Sequence, residues 1–440
     1  MRFMDVALVV ETAVIVAVIA TVPYTEVDWR AYMEEVKGFL DGELNYHNLR
    51  GSTGSLVYPG GFVWLYSAIY CLTKKGEAIL FAQWIYAGVY LVTLAMVLRL
   101  YTRAGLTWRA MIPLFVSKRI RSLYVLRLFN DCWAMLFLFA AVSFIAGRPS
   151  DPAKRSHQWL VGCLCYSIAV SIKMNVLLFA PGMLYVMLRT LPLRRVVCYL
   201  LLCAAWQVAV GLPFLAYNCK AYLSKSFDLH RVFTHRWSVN YQFLDAEVFG
   251  KPALGQALLV MTLATWVLLW RTRWASRTYL TDEEAYVLHP VIADTRRQST
   301  FARCSTTEDE QKAQRHAVYT SVLLTFFEAN LVGIAFARSI HYQFYTWFFY
   351  TVPFVLAHTM FPRLLQLLSF ALIRQAFEVY PPTATTSLML QGGFALMLLA
   401  FLFLGHDGLE AALPRNTRRA RRTEPKPGQA QVVGGASGEQ

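Results

Sequence analysis

The chain has 440 residues, of which 56% are hydrophobic, 15% aromatic and only 16% charged, with a net charge of +15. So apolar and charge-poor a composition excludes a soluble globular protein of this length and points to a polytopic membrane protein. The basic excess could suggest nucleic acid, but Lys and Arg stand in short blocks between apolar runs, which is the signature of membrane topology.

The apolar runs are about 16 to 22 residues long, enough or nearly enough to cross the bilayer core as helices. They do not alternate apolar with polar, so a closed barrel is excluded and the expected fold is all-α. Residues 6–22 form the first run. It lacks a small-x-small exit and reads as a retained span instead of a cleaved leader. Asp5 and Glu11, beside or within it, are an unexplained cost for a helix in lipid.

Residues 24–61 follow, holding six acidic side chains: Glu26, Asp28, Glu34, Glu35, Asp41 and Glu43. Trp29, Tyr32, Val36 and Phe39 fall near helical spacing, predicting an amphipathic helix just outside the membrane. The next apolar stretch, 56–72, is short. It opens on Pro59-Gly60-Gly61 and carries Trp64, Tyr66 and Tyr70, so it is expected to lie in the interface or re-enter.

With that stretch not counted, runs 78–98, 110–126, 131–147, 158–173, 175–190, 196–217, 253–271, 317–337, 344–361, 364–379 and 386–404 thread in order. They give about twelve crossings with both termini cytosolic. The basic blocks at Arg99/Arg103/Arg109, Arg148/Lys154/Arg155, Arg189/Arg194/Arg195, 271–315 and 415–422 then share the cytosolic side with Arg2, and only Lys74 and Lys75 run against the scheme. Residues 1–410 read as one membrane-embedded domain with luminal loops 23–77 and 218–252. The insert 272–316 and the tail 411–440 read as cytosolic and poorly ordered, the tail's arginines suiting anionic membrane lipid.

On the non-cytosolic face, polar residues gather at nearly loopless hairpins. Arg127, Asn130 and Asp131 occupy one, and Lys173 and Asn175 a second; charges at membrane depth usually line a polar cavity or pathway. A snorkelling helix-end lysine is the plain alternative for Lys173. Arg338 and His341 open an aromatic run, a fixed cation one turn before a titratable imidazole. Asp28 on its own is as well explained by helix capping as by catalysis. Taken together, one carboxylate-rich loop faces several cations, which suits deprotonation of a hydroxyl beside a phosphate. Glycosyl transfer from a lipid phosphate needs that combination. Eight cysteines without a CxxC pair read as small buried hydrophobes, and the lack of DxD, HExxH or Walker motifs leaves no metal and no cofactor expected.

Seven ordered motifs carry a family resemblance: YTEVDWRAYM, LVYPGGF, VLRLFNDCWAM, SIKMNVLLFAPG, GLPFL, YLSKSFDLHRVFTHRWSVN and RSIHYQFYTWFFYTVPF. Together they resemble the ALG3-type dolichyl-phosphate-mannose-dependent alpha-1,3-mannosyltransferases of the endoplasmic reticulum, over about residues 24–382. The resemblance implies a GT-C type membrane transferase acting in the lumen, with dolichyl phosphate mannose as donor and a lipid-linked oligosaccharide as acceptor, and with inversion at the transferred sugar. It implies Asp28 as general base. Arg127, Asn130, Asp131, Lys173, Asn175, Arg338 and His341 are implied around the donor phosphate or acceptor sugar. Trp29, Tyr58 and Tyr342, with Asp228 and Arg231 of loop 218–252, complete the candidate substrate-binding set. Two other readings stay open: a sister transferase of another sugar or linkage, and a transporter or lipid scramblase, for which buried charges are equally natural but no internal repeat is found.

Overall fold

The computed structural model describes residues 3–147, 152–227, 234–277, 279 and 308–404. Most of the insert, residues 228–233 and the tail therefore lie outside the described residues. Within them the chain is helical, apart from one two-stranded antiparallel ribbon pairing Arg50–Gly51 with Gly54–Ser55.

Six described helices are long and apolar enough to cross a membrane: Phe3–Thr21, Ile79–Arg103, Leu193–Ser226, Pro252–Trp274, Arg315–Ala335 and Ala384–Phe403. Shorter or more polar helices at Asp131–Ala146, Pro152–Ile172, Ala180–Thr190 and Arg363–Glu378 fill in between them. The expected run 196–217 ends where the long helix leaves helical geometry, at Asn218 (φ −152°, ψ 84°). There the Asn218 side chain accepts the Ala221 N–H at 3.0 Å and starts a new helical stretch.

Three expected runs contain 3-10 segments: 175–190 opens on one, Met174–Phe179, before Ala180–Thr190, and two others divide further. The stretch 110–126 divides into Trp108–Met111, a 3-10 turn at Ile112–Phe115, and Lys118–Val125. Pro113 interrupts the backbone ladder, and the Ser117 hydroxyl caps the next helix by accepting from Ile120. The stretch 344–361 likewise divides into a 3-10 segment, Tyr342–Trp347, and a short helix, Val352–Ala357. The stretch 110–126 still runs the length of the opening helix. Trp108 meets Phe3 at one end, with ring centroids 6.1 Å apart, and at the other the Leu126 carbonyl accepts the Thr25 N–H at 2.9 Å. Irregular backbone at membrane depth requires protein partners. It has them here: Tyr101 donates to the Tyr350 carbonyl at 2.9 Å and the Asn330 amide to the Trp347 carbonyl at 3.0 Å.

The helix Gly60–Leu72 has 13 residues, a rise of about 20 Å and too little to cross the hydrocarbon core. Both of its flanks touch one element, the amphipathic helix Trp29–Leu40. Tyr58 packs edge-on against Tyr32 at 5.9 Å, and the Gly76 carbonyl accepts from the Trp29 indole at 3.0 Å. Gly60 and Gly61 permit this seating, because a Cβ on the first would strike the Val210 carbonyl and on the second the Ser171 side chain. Glu11 also finds its explanation. It is buried at 2% exposure and held bidentately by Arg121 at 2.6 and 2.9 Å, with the Tyr90 hydroxyl donating at 2.6 Å.

Candidate active site

One end of the bundle encloses a cavity of about 1130 Å³. The acidic loop at 25–28 and the buried face of Trp29–Leu40 form one wall. Arg119 and Arg127 form another, and Lys173, Asn175, His341 and Tyr342 close it with Tyr58, Trp237 and Tyr380. Six residues of the sequence-predicted substrate-binding set, Tyr58, Arg127, Lys173, Asn175, His341 and Tyr342, thus meet at one cavity with Asp28.

Asp28 stands at the N-cap position of Trp29–Leu40, yet its side chain makes no capping hydrogen bond. The helix start is served instead by Glu26, whose carboxylate accepts the Arg30 N–H at 3.0 Å. Asp28 faces the cavity, with the Tyr32 hydroxyl 3.4 Å from one of its oxygens. Burial, followed by the charges of Tyr58 and Asp28, pushes the Tyr32 phenol well above its ordinary value, so it stays a protonated donor.

The hairpin at 126–131 turns through Leu128, a buried residue forced to a left-handed φ of 52°. This turn buries Asn130 and Asp131 completely. Lys173 reaches them from the second hairpin, donating to Asp131 at 2.6 Å and to the Asn130 carbonyl oxygen at 2.9 Å. The Trp347 indole also donates to Asp131, and the Lys173 ammonium lies 5.3 Å from the Tyr58 ring centre and 5.8 Å from that of Phe344. Lys173 therefore lines the cavity as half of a neutral pair. Asn175 differs, since both polar atoms of its amide are buried without a hydrogen-bond partner among the described residues.

His341 lies over Phe344, ring centroids 5.6 Å apart. Tyr342 donates to the Val379 carbonyl at 2.6 Å, and burial pushes its phenol up to about 12. Arg338 and Trp29 stand outside the cavity lining. Arg338 donates to the Gly250 and Phe249 carbonyls at 2.8 and 3.2 Å, tying down the loop at 249–250, while Trp29 is a buried packing residue. Asp228 and Arg231 lie outside the described residues.

Sequence reasoning missed Arg119 and Tyr380. Arg119 was hidden because 110–126 read as a span. Its signal was available in Lys118, Arg119 and Arg121, three cations in four residues, which no lipid-facing helix would carry.

A helical membrane protein whose one polar cavity wall carries a carboxylate and another carries cations is suited to group transfer at a lipid phosphate. The chain belongs to the ALG3 protein family, whose profile matches residues 5–387. It is 40% identical over 403 residues to the Dol-P-Man:Man(5)GlcNAc(2)-PP-Dol alpha-1,3-mannosyltransferase of Arabidopsis thaliana, spanning 91% of this chain and 86% of that one. The proteins of the same name from Homo sapiens and Mus musculus are each 37% identical, covering 92% and 94% of this chain and 86% and 88% of theirs. The chain is accordingly a glycosyltransferase. Among solved structures it is similar to ArnT from Cupriavidus metallidurans bound to undecaprenyl phosphate, at 15% identity and a TM-score of 0.41, over 91% of this chain and 77% of that one.

Proposed function

We propose that this chain transfers mannose from dolichyl phosphate mannose to the Man5GlcNAc2-PP-dolichol acceptor in alpha-1,3 linkage. The reading follows from the family and from the names its relatives carry. It places the cavity on the luminal face of the endoplasmic reticulum membrane with both termini cytosolic. The observation that carries the chemistry is the placement of Asp28: it lines the cavity and makes no capping hydrogen bond, whereas Glu26 beside it is engaged by the Arg30 N–H.

In the proposed reaction Asp28 removes the proton from the acceptor 3-hydroxyl as that oxygen attacks the anomeric carbon of the donor mannose. The new C–O bond forms as the bond to the phosphate oxygen breaks, and its electron pair leaves on dolichyl phosphate. Attack from the face opposite the phosphate inverts the centre. The phosphate departs unprotonated, so one carboxylate suffices where a glycosidase uses two. Asn175, with its unmet amide, offers hydrogen bonds to sugar hydroxyls.

The test is Asp28→Asn in purified protein given synthetic donor and acceptor. Loss of at least about a hundredfold in kcat, with an unchanged melting temperature, is expected for removal of a general base. Turnover near that of the unsubstituted protein would refute the assignment.

A further inference from the structure

The cations around the cavity are not equivalent. Lys173 is matched by Asp131 at 2.6 Å, and Arg338 is spent on backbone carbonyls away from the lining. Arg119 and Arg127 remain, both half-buried and both lining the cavity. Their guanidinium hydrogen bonds go to neutral groups: Arg119 Nε donates to the Phe377 carbonyl at 2.7 Å, and Arg127 to the Ser122 hydroxyl. Glu378 is the carboxylate whose charge acts on Arg119. Its Oε1 is already engaged by the Ser117 hydroxyl at 3.0 Å and the Arg119 backbone N–H at 3.4 Å, with Arg374 at 3.8 Å.

Two guanidiniums sharing one partly dehydrated wall repel each other, and burial together with Arg119 holds Arg127 below its ordinary value. An anion between them relieves both costs, and the planar fork of arginine matches phosphate oxygens. The wall is also correctly placed. The Leu126 carbonyl, next to Arg127, accepts from Thr25, three residues from Asp28. The Arg119 guanidinium lies 4.8 Å over the Tyr342 ring, which fixes the cation's direction.

We infer that Arg119 and Arg127 form a clamp for the isoprenoid-linked phosphate, and that Lys173 is a positioning residue for Asp131 and Asn130 instead of a phosphate ligand. This rests on the reading of the cavity as the site of transfer from a lipid phosphate. The anion is either the donor's phosphate or the acceptor's diphosphate, and kinetics separate the two.

The experiment uses the full chain in nanodiscs with Arg119→Gln, Arg127→Gln, Arg119→Lys and Arg127→Lys, each first checked for an unchanged melting temperature. Dolichyl phosphate binding is measured directly, and KM is measured for each substrate. With the donor phosphate in the clamp, each Gln variant binds dolichyl phosphate about tenfold or more weakly and raises donor KM similarly. With the acceptor diphosphate there, acceptor KM rises instead and dolichyl phosphate binding holds. The Lys variants fall between, because the charge is kept and the fork is lost. Unchanged binding and unchanged KM for both substrates in folded Gln variants would overturn the clamp; should the Gln variants not fold, Lys variants that match the unsubstituted protein in all three measurements overturn it equally. Arg-dependent dolichyl phosphate binding by a protein that transfers no mannose would instead overturn the proposed function and leave the clamp standing.

Discussion

Asp28 and Glu26 sit two positions apart in one acidic loop and both border the cavity, but only Glu26 accepts a helix N–H. Sequence showed that the loop was carboxylate-rich, but whether a carboxylate turns back to the helix N-terminus or out to a cavity depends on backbone angles that no residue type encodes. The same holds for Lys173, whose partner lies 42 residues earlier. Its role and that of Asn175 separate experimentally. Lys173→Met leaves Asp131 buried and unmatched, so it is expected to cost about 3–5 kcal/mol of stability, read as a lowered melting temperature. Asn175→Ala removes an amide that has no partner among the described residues, so stability is expected to hold while transfer falls about tenfold. Equal melting temperatures for the two variants would contradict the pairing described.

At the scale of elements, hydrophobic periodicity located most helices, and it placed the end of the span at 196–217 where Asn218 breaks the helix. It failed at 110–126 and 344–361, where the local signal for breakage, Pro113 or Pro353 within an apolar run, competes with an equally strong signal for a span. Long-range partners make these irregular stretches tolerable, and long-range partners are what a single sequence conceals. Glu11 illustrates this, since its mate Arg121 is 110 positions away. That pair, with Tyr90, fastens the first helix to the broken stretch beside it. Glu11→Gln is therefore expected to lower the melting temperature, with further loss of several degrees relative to a Glu11→Gln/Arg121→Met double variant, in which no cation is left unmatched. A single variant at least as stable as the double would show that the pair does not hold these elements together.

For the whole molecule, the distribution of basic blocks gave a topology in which the acidic loop and the later hairpins share a face, and the structure brings Asp28, Arg127, Lys173, Asn175 and His341 to one cavity. Which side of the membrane that face occupies is a separate matter, open to a direct test. Asp41 and Gly42 are exposed and Gly42 already adopts a left-handed φ of 101°, so an Asn-Gly-Thr insertion there is tolerable. In cells it is expected to acquire an endoglycosidase-sensitive glycan, whereas the same insertion in the tail after residue 420 is expected to remain bare. The reverse pattern would invert the proposed orientation.

The helix Gly60–Leu72 has only 13 residues, and Trp29–Leu40 rests on it through Tyr32, which packs on Phe62 at 5.4 Å and on Tyr66 at 5.1 Å. The amphipathic helix thus spends its apolar face on protein and not on lipid. A surface helix floating on a bilayer rises and sinks with the thickness of that bilayer. Here the Asp28 carboxylate stands on a helix seated on a protein floor, so its position relative to the cavity cations is set by protein packing instead of by the thickness of the surrounding membrane.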